Sequence, residues 1–177
     1  MGTFADHIAA QDDEVRSPDG NITARVTGGE IKGLAFKPGT YEQYSDAALE
    51  LQLAGLSRLV WVARARARRD ALRAAVDGPY DPEPMRPDSA QSRQALEEQQ
   101  NLVVDVEMTH VTVRVEGGTS WRVKVKAGTV REVPEELFLR EVATAATTAI
   151  GHWRARMHMV RQEAYGPSFI YKGMVPR

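Results

Sequence analysis

The chain has 177 residues, of which 42% are hydrophobic and 27% charged, as is usual for a soluble globular protein with a sizeable core. Its net charge of −1 does not mark the whole molecule as a binder of polyanions, and the lack of cysteine excludes disulfides, thiolate metal sites and cysteine nucleophiles. Because no apolar run approaches the ~20 residues of a membrane span and no signal peptide begins the chain, we expect a cytoplasmic protein.

The first half predicts a short helix or arm, three strands and a long helix. Residues 1–14 are acidic, an extended stretch begins at Val15, and residues 18–20 (Pro-Asp-Gly) signal a turn. Apolar and polar residues alternate over 22–27, as in a half-buried strand, and the Gly-Gly pair at 28–29 indicates a hairpin. The next strand holds Ile31, Leu34 and Phe36, and Gly33 marks a bulge.

Ser45 or Asp46 is the predicted N-cap of a long helix that reaches about residue 76. Its apolar residues recur at steps of four and three, which predicts one buried stripe. The stripe consists of Leu49, Leu53, Leu56, Val60, Ala63 and Ala67. Four prolines and several acidic residues follow within 79–92, which predicts an extended, stiff linker.

The second half predicts a short helix over 92–100, strands over 103–108 and 111–115, and a third strand from Trp121 to Val125. Pro134, followed by two glutamates, predicts the start of another long helix, which Gly166-Pro167 ends. We expect the tail, 167–177, to dock on the body through its apolar residues. The apolar stripe of this helix is Leu139, Ala143, Ala146, Ile150, Trp153, Met157 and Val160.

The chain contains an internal repeat. Residues 22–29 recur as residues 111–118, 89 positions later, with five of eight residues identical, and a Gly-Thr pair follows each copy at the same distance. The two helical stripes match best at an offset of 90, which predicts one extra residue before the second long helix. The fold we predict is α+β: two tandem β-β-β-α units, each with a short preceding helix, that form an intramolecular pseudo-dimer with antiparallel sheets and long flanking helices. The first unit spans 1–78, the linker 79–92, the second unit 93–166 and the tail 167–177.

This order of elements, with Gly-Gly hairpins and long helices that end in arginines, resembles the YbaB/EbfC family. The resemblance is carried by residues 22–29, 31–36 and 46–67 in the first half and by 111–118, 121–125 and 137–156 in the second. It implies α-β-β-β-α units that dimerise through their sheets and bind DNA as nucleoid-associated proteins. The tandem fusion and the Pro-rich acidic connector depart from typical members. Divergent relatives in actinobacterial type VII (ESX) secretion loci would instead imply an accessory protein or chaperone with a secretion-associated protein partner.

Arginines cluster toward the ends of both long helices, and residues 58–73 carry six of them against one aspartate. Guanidinium groups on a rigid helix can contact phosphate oxygens, which gives salt-dependent binding with little sequence preference. The alternative is that they complement the helix dipole and solubilise a surface. The predicted nucleic-acid-binding residues are Arg64, Arg66, Arg68, Arg69, Arg73, Arg154 and Arg156.

Other features favour structural roles. Arg25, Arg114 and the basic residues at 122, 124 and 126 fit the solvated face of a half-buried sheet, although that face could also follow a phosphate backbone. The four histidines lack the spacing of a helical metal pair, and no nucleophile–base pattern stands out. We therefore expect a non-enzymatic binding protein without metal or cofactor, whose partner is DNA or a secretion-associated protein. Whether two such chains pair further as a homodimer stays open.

Overall fold

A computed structural model describes residues 4–28, 30–75 and 90–165. The protein is α+β, with two three-stranded antiparallel sheets and long helices. Of the predicted linker, residues 79–89 lie outside the described residues and residues 90–92 belong to a helix, so the helix begins earlier than the sequence predicted. The predicted tail at 167–177 also lies outside the described residues.

The first half contains one short helix, three strands, one 3-10 turn and one long helix. These elements are α1 (Phe4–Ala9), β1 (Asp12–Arg16), β2 (Ile22–Thr27), β3 (Glu30–Phe36), the 3-10 turn (Tyr41–Gln43) and α2 (Asp46–Ala75). Strand β1 begins earlier than the predicted Val15. The hydroxyl oxygen of Ser45 accepts the Ala48 N–H at 3.2 Å, so Ser45 rather than Asp46 is the N-cap of α2.

The second half repeats this order of elements. They are α3 (Ala90–Asn101), β4 (Val103–Glu107), β5 (Val111–Glu116), β6 (Ser120–Val125), α4 (Thr129–Glu132) and α5 (Glu135–Tyr165). The helix start predicted from Pro134 and its two glutamates is confirmed, since α5 begins at Glu135. The short helix α4 had no clear signal in the sequence.

Both sheets have their strands in chain order, and their second and third strands begin their pairing at equivalent positions. The strand orders are β1-β2-β3 and β4-β5-β6, and all pairs are antiparallel. Ile22 pairs with Phe36 in the first sheet, and Val111 pairs with Val125 in the second, so both partners are shifted by 89 residues.

The predicted bulge in β3 is confirmed. Arg25 lies opposite Gly33, whereas Val26 lies opposite Ile31, so Lys32 is the extra residue on β3. The β5–β6 pair keeps an even register and has no such shift. The two hairpins therefore differ by a local insertion and not in topology.

One backbone hydrogen bond beside each sheet is equivalent in the two halves. The N–H of Lys37 donates to the Asn21 carbonyl at 2.8 Å, and the equivalent bond joins Lys126 to His110 at 2.9 Å. Each long helix also accepts an N–H from the first hairpin turn of its own sheet. These bonds run from the Asp19 N–H to Gln52 Oε1 at 3.1 Å and from the His110 N–H to Glu141 Oε2 at 2.9 Å.

The buried stripes of α2 and α5 also match at a spacing of 89 residues. Leu49 and Phe138 are both 0% exposed, and Val60 and Ala149 are 4% and 0% exposed. Leu139, which the sequence paired with Leu49, is only half-buried. The prediction of one extra residue before the second long helix is therefore wrong for the start of this stripe. Because adjacent positions of α5 hold β-branched and aromatic residues, offsets of 89 and of 90 residues both fit the sequence.

One hydrophobic core contains buried residues from both halves. Helix α2 packs on β1 and β2 of its own sheet and on β6 of the other sheet, while α5 packs on β4 and β5 and on β3 of the other sheet. Helix α1 lies on α2 as α3 lies on α5, and the 3-10 turn contacts α4. Each contact in this set that involves an element of one half therefore has a counterpart that involves the equivalent element of the other half.

Polar groups at the start of α2 bind the backbone of the second half. The carboxylate of Asp46 accepts the Gly128 N–H at 2.7 Å and the Val130 N–H at 3.1 Å, and so caps α4. Glu50 accepts the Val125 N–H at 2.8 Å, at the end of β6. The buried hydroxyl of Tyr41 donates to the Val133 carbonyl at 3.0 Å, and burial raises the pKa of Tyr41 to about 12.

Replacing Asp46 with Ala should lower the free energy of unfolding by about 1–2 kcal/mol, because two N–H groups at the start of α4 lose a charged acceptor. Urea denaturation followed by circular dichroism measures the change. Asp13→Ala is the control, since Asp13 is exposed and forms no salt bridge within the described part of the chain. Equal stability of the two variants would show that Asp46 does not join the halves.

Candidate functional site

The seven arginines predicted from the sequence fall into different environments. Six of them are exposed, whereas Arg64 is half-buried. Arg156 donates from Nη1 to the Val103 carbonyl at 2.9 Å, so it ties α5 to the start of β4. The arginines thus include both a free basic surface and structural contacts.

Arg66, Arg69 and Arg73 form a row on the outer face of α2. Steps of three and four residues place them on one side of the helix, and all three are exposed. None of them forms a salt bridge with a residue that the structure describes. We call these three residues the basic row. Arg73 lies in the last turn of α2, where it also complements the negative end of the helix dipole.

Arg64 lies on the opposite side of α2 from the basic row, in a crevice between α2, α5 and β3. Burial and then the charge of Arg154 lower the pKa of Arg64 to about 10, while Glu30 opposes the shift. Glu30 itself pairs with Lys32 at 2.6 Å, and this hydrogen bond, followed by the charges of Arg154 and Arg64, lowers the pKa of Glu30. The structure thus brings Arg64 and Arg154 together, although they come from different halves.

The three tryptophans of the chain meet beside Arg64. The ring of Trp61 lies 6.2 Å from that of Trp121 and 5.0 Å, edge to face, from that of Trp153. Trp61 lies off the apolar stripe predicted for α2, and it lies between the halves, since both of its ring neighbours belong to the second half. Trp153, predicted to lie in the core, is half-buried and packs against it.

The basic residues of the sheets are largely paired with carboxylates. Arg25 makes two hydrogen bonds to Asp12, at 3.1 and 2.7 Å, and these lower the pKa of Asp12 to about 2. Arg114 lies 3.7 Å from Asp105, and Lys124 lies 3.5 Å from Glu50. Because their charges are locally balanced, these residues fit the solvated face of a sheet better than a phosphate-binding surface.

The outer face of α2 also exposes apolar side chains. Leu51, Leu59 and Val62 are 68%, 42% and 48% exposed, and they lie on the N-terminal side of the basic row. This apolar group was not predicted from the sequence, because the helical periodicity marks only the stripe that faces the core. The departure of these residues from that stripe was the signal that could have revealed it.

His110 is a further residue whose contact the sequence did not show. The ring Nδ1 of His110 lies 3.0 Å from Glu141 Oε1, and the backbone N–H of His110 donates to the other oxygen of the same carboxylate. The pair holds the β4–β5 turn against α5. Within residues 4–28, 30–75 and 90–165, no group of three or more histidine, aspartate or glutamate side chains could hold a metal ion.

None of the described helices combines the length and apolar character that crossing a bilayer requires. Comparison of the chain with protein-family models, with curated proteins and with solved structures finds no match. The geometry of the molecule is therefore the basis for a functional proposal.

Replacing Gly118 with Ala should destabilise the protein and disturb the tryptophan cluster. Its φ is +75°, and an added Cβ would lie 2.4 Å from the ring of Trp153. Gly39 is the matched control, because its φ is +71° and an added Cβ would meet nothing within 4 Å. We expect Gly39→Ala to cost about 1–2 kcal/mol from the backbone alone, and Gly118→Ala to cost a further 1–3 kcal/mol, roughly, from the clash.

Urea denaturation and the emission of the folded variants measure both effects. A shifted tryptophan emission is expected only for Gly118→Ala. Equal stability and equal emission of the two variants would contradict the contact between Gly118 and Trp153.

Proposed function

We propose that the chain is a tandem duplication of a YbaB/EbfC-like unit, folded as an intramolecular pseudo-dimer. Three features support the proposal: the 89-residue shift between the second and third strands of the two sheets, an equivalent hydrogen bond beside these strands, and the packing of each long helix on the third strand of the other sheet. A small sheet covered by one helix leaves an edge strand bare, and exchange of helices between two units covers it. Duplication followed by fusion accounts for all three features at once.

For its biochemical role we propose non-enzymatic binding of DNA through the phosphate backbone. The observation that carries the proposal is the basic row, in which Arg66, Arg69 and Arg73 are exposed without a carboxylate partner in the described residues. A guanidinium that has no internal partner is available to a phosphate oxygen, with which it forms a charge-assisted hydrogen bond. The rigid helix fixes the spacing of the three groups.

The dimensions of the basic row suit a nucleic-acid backbone. At 1.5 Å per residue, the seven steps from Arg66 to Arg73 span roughly 10 Å of helix axis. Successive phosphates of one strand advance about 3.4 Å along a duplex, so the row covers roughly three of them. Arg68, Arg154 and Arg156 are also exposed, but Arg154 lies beside Arg64, on the other side of α2 from the basic row. Such contacts would read the backbone and carry little sequence information.

The triple substitution of Arg66, Arg69 and Arg73 by Gln should weaken binding to duplex DNA. Each lost phosphate contact lowers the slope of log affinity against log salt by about 0.9, so the triple variant should lose roughly 2–3 units of slope. Fluorescence anisotropy of a labelled duplex, titrated at several salt concentrations, measures the slope. The thermal unfolding temperature should stay near that of the parent protein, since the three side chains are exposed.

A charge-matched control replaces Arg122, Arg131 and Arg140, which are exposed residues outside the basic row, by Gln. This variant should keep most of the affinity and the slope. Equal losses in the two triple variants would reduce the interaction to net charge. No binding of the parent protein at about 50 mM salt would reject the DNA proposal.

The second candidate is a protein-binding accessory or chaperone, such as a type VII secretion system would use. The exposed Leu51, Leu59 and Val62 favour it, because a DNA surface has no need of an apolar group beside its arginines. An amphipathic helix with acidic flanks would match both the apolar group and the basic row. The salt titration distinguishes the candidates, since a partner held mainly by apolar burial gives a shallow slope.

A further inference from the structure

A narrow crevice beside the tryptophan cluster has the chemistry of a small-molecule site. It lies between α2, α5 and β3, and its lining includes Ile31, Trp61, Arg64, Trp121 and Ile150. Ile31, Trp61 and Arg64 are half-buried and form its open side, whereas Trp121 is only 4% exposed. The enclosed part is small, about 10 Å³, so only one end of a ligand could enter it.

Two buried donors beside this crevice have no acceptor. The indole Nε1 atoms of Trp121 and Trp153 are buried without a hydrogen-bond partner among the described residues. Leaving such a donor unpaired is costly, so each of these groups calls for a partner that the described residues do not supply. Trp121 lines the crevice, and the ring of Trp61 links it to Trp153.

Arg64 adds a positive charge to the lining of the crevice. It forms no salt bridge with any residue that the structure describes, and the nearby carboxylate of Glu30 is engaged by Lys32. Arg154 adds a second positive charge on the side of α5. A half-buried guanidinium with a like charge nearby favours an anionic occupant, and the apolar walls favour one with an apolar body.

We propose that this crevice binds a small carboxylate that carries an apolar ring or short chain. The carboxylate accepts hydrogen bonds from Arg64, and the apolar body lies against Ile31 and the ring of Trp61. This site lies on the opposite side of α2 from the basic row, so the proposal does not depend on DNA binding.

Tryptophan fluorescence tests the proposal directly, because all three tryptophans of the chain lie in the cluster. Cyclohexanecarboxylate is the probe, since it does not absorb where tryptophan is excited, and its amide is the neutral control. A ligand of this size is expected to bind in the millimolar range, so the titration extends to ~10 mM. We expect a saturable change of emission with the carboxylate and a much smaller one with the amide.

Variants identify the group that binds the carboxylate. Arg64→Gln should weaken binding roughly tenfold or more, because a charge-assisted hydrogen bond is lost. Arg64→Lys, which keeps the charge, should be intermediate and serves as the test if the glutamine variant does not fold. Arg66→Gln removes an exposed charge two residues away and should leave the affinity unchanged.

Three results would overturn the proposal. They are the absence of a saturable change with the parent protein, equal responses to the carboxylate and its amide, and equal affinity of the Arg64 and Arg66 variants. Each can be read from the same titration, with folding of every variant checked by thermal denaturation.

Discussion

The packing of each long helix on the third strand of the opposite sheet is the contact on which the rest of the structure depends. A three-stranded sheet with one helix leaves an edge strand and part of an apolar face uncovered. Here α2 covers β6 and α5 covers β3, so that the valines of β5 and β6 and the leucines of α2 belong to one core. Neither half could retain its own burial if the other were removed.

Hydrogen bonds also join the two halves at the edge of the shared apolar core. The carboxylates of Asp46 and Glu50 accept N–H groups at 125, 128 and 130, which lie at the end of β6 and the start of α4. Among the described residues, the N–H groups at 128 and 130 have no backbone acceptor in their own half. Charged acceptors at a partly buried boundary are stronger than neutral ones, so they restrict how the two halves can slide against each other. The apolar core holds the two halves together, and the carboxylates fix their relative position.

Helices and strands were predicted well, because the residues that mark each of them lie within or beside that element. The alternation over 22–27, the N-cap region at 45–46 and the helix start at 134–136 all appear where they were expected. Long-range polar contacts could not be predicted, since nothing near Asp46 or Tyr41 indicates that their partners lie more than 80 residues away. Among the site residues, the exposed arginines of α2 were predicted as part of a cluster. Burial of Arg64 was not predicted, because it depends on residues of β3, β6 and α5 that line the same crevice.

The outer faces of the two long helices differ in composition, which shows that packing does not determine their residues. At the 89-residue spacing, buried positions in the first half of the two helices keep apolar residues, as Leu49 and Phe138 do, whereas buried Ala67 corresponds to exposed Arg156. The basic row has no such counterpart, since the equivalent residues of α5 are Ala155, His158 and Gln162. All three are exposed, so α5 folds without arginines at the positions equivalent to the basic row. The same comparison sets Leu51, Leu59 and Val62 against Arg140, Thr148 and Gly151. Because packing alone accommodates either composition, it does not explain the arginines and leucines of α2, and the proposed binding of a partner to this one face would explain them.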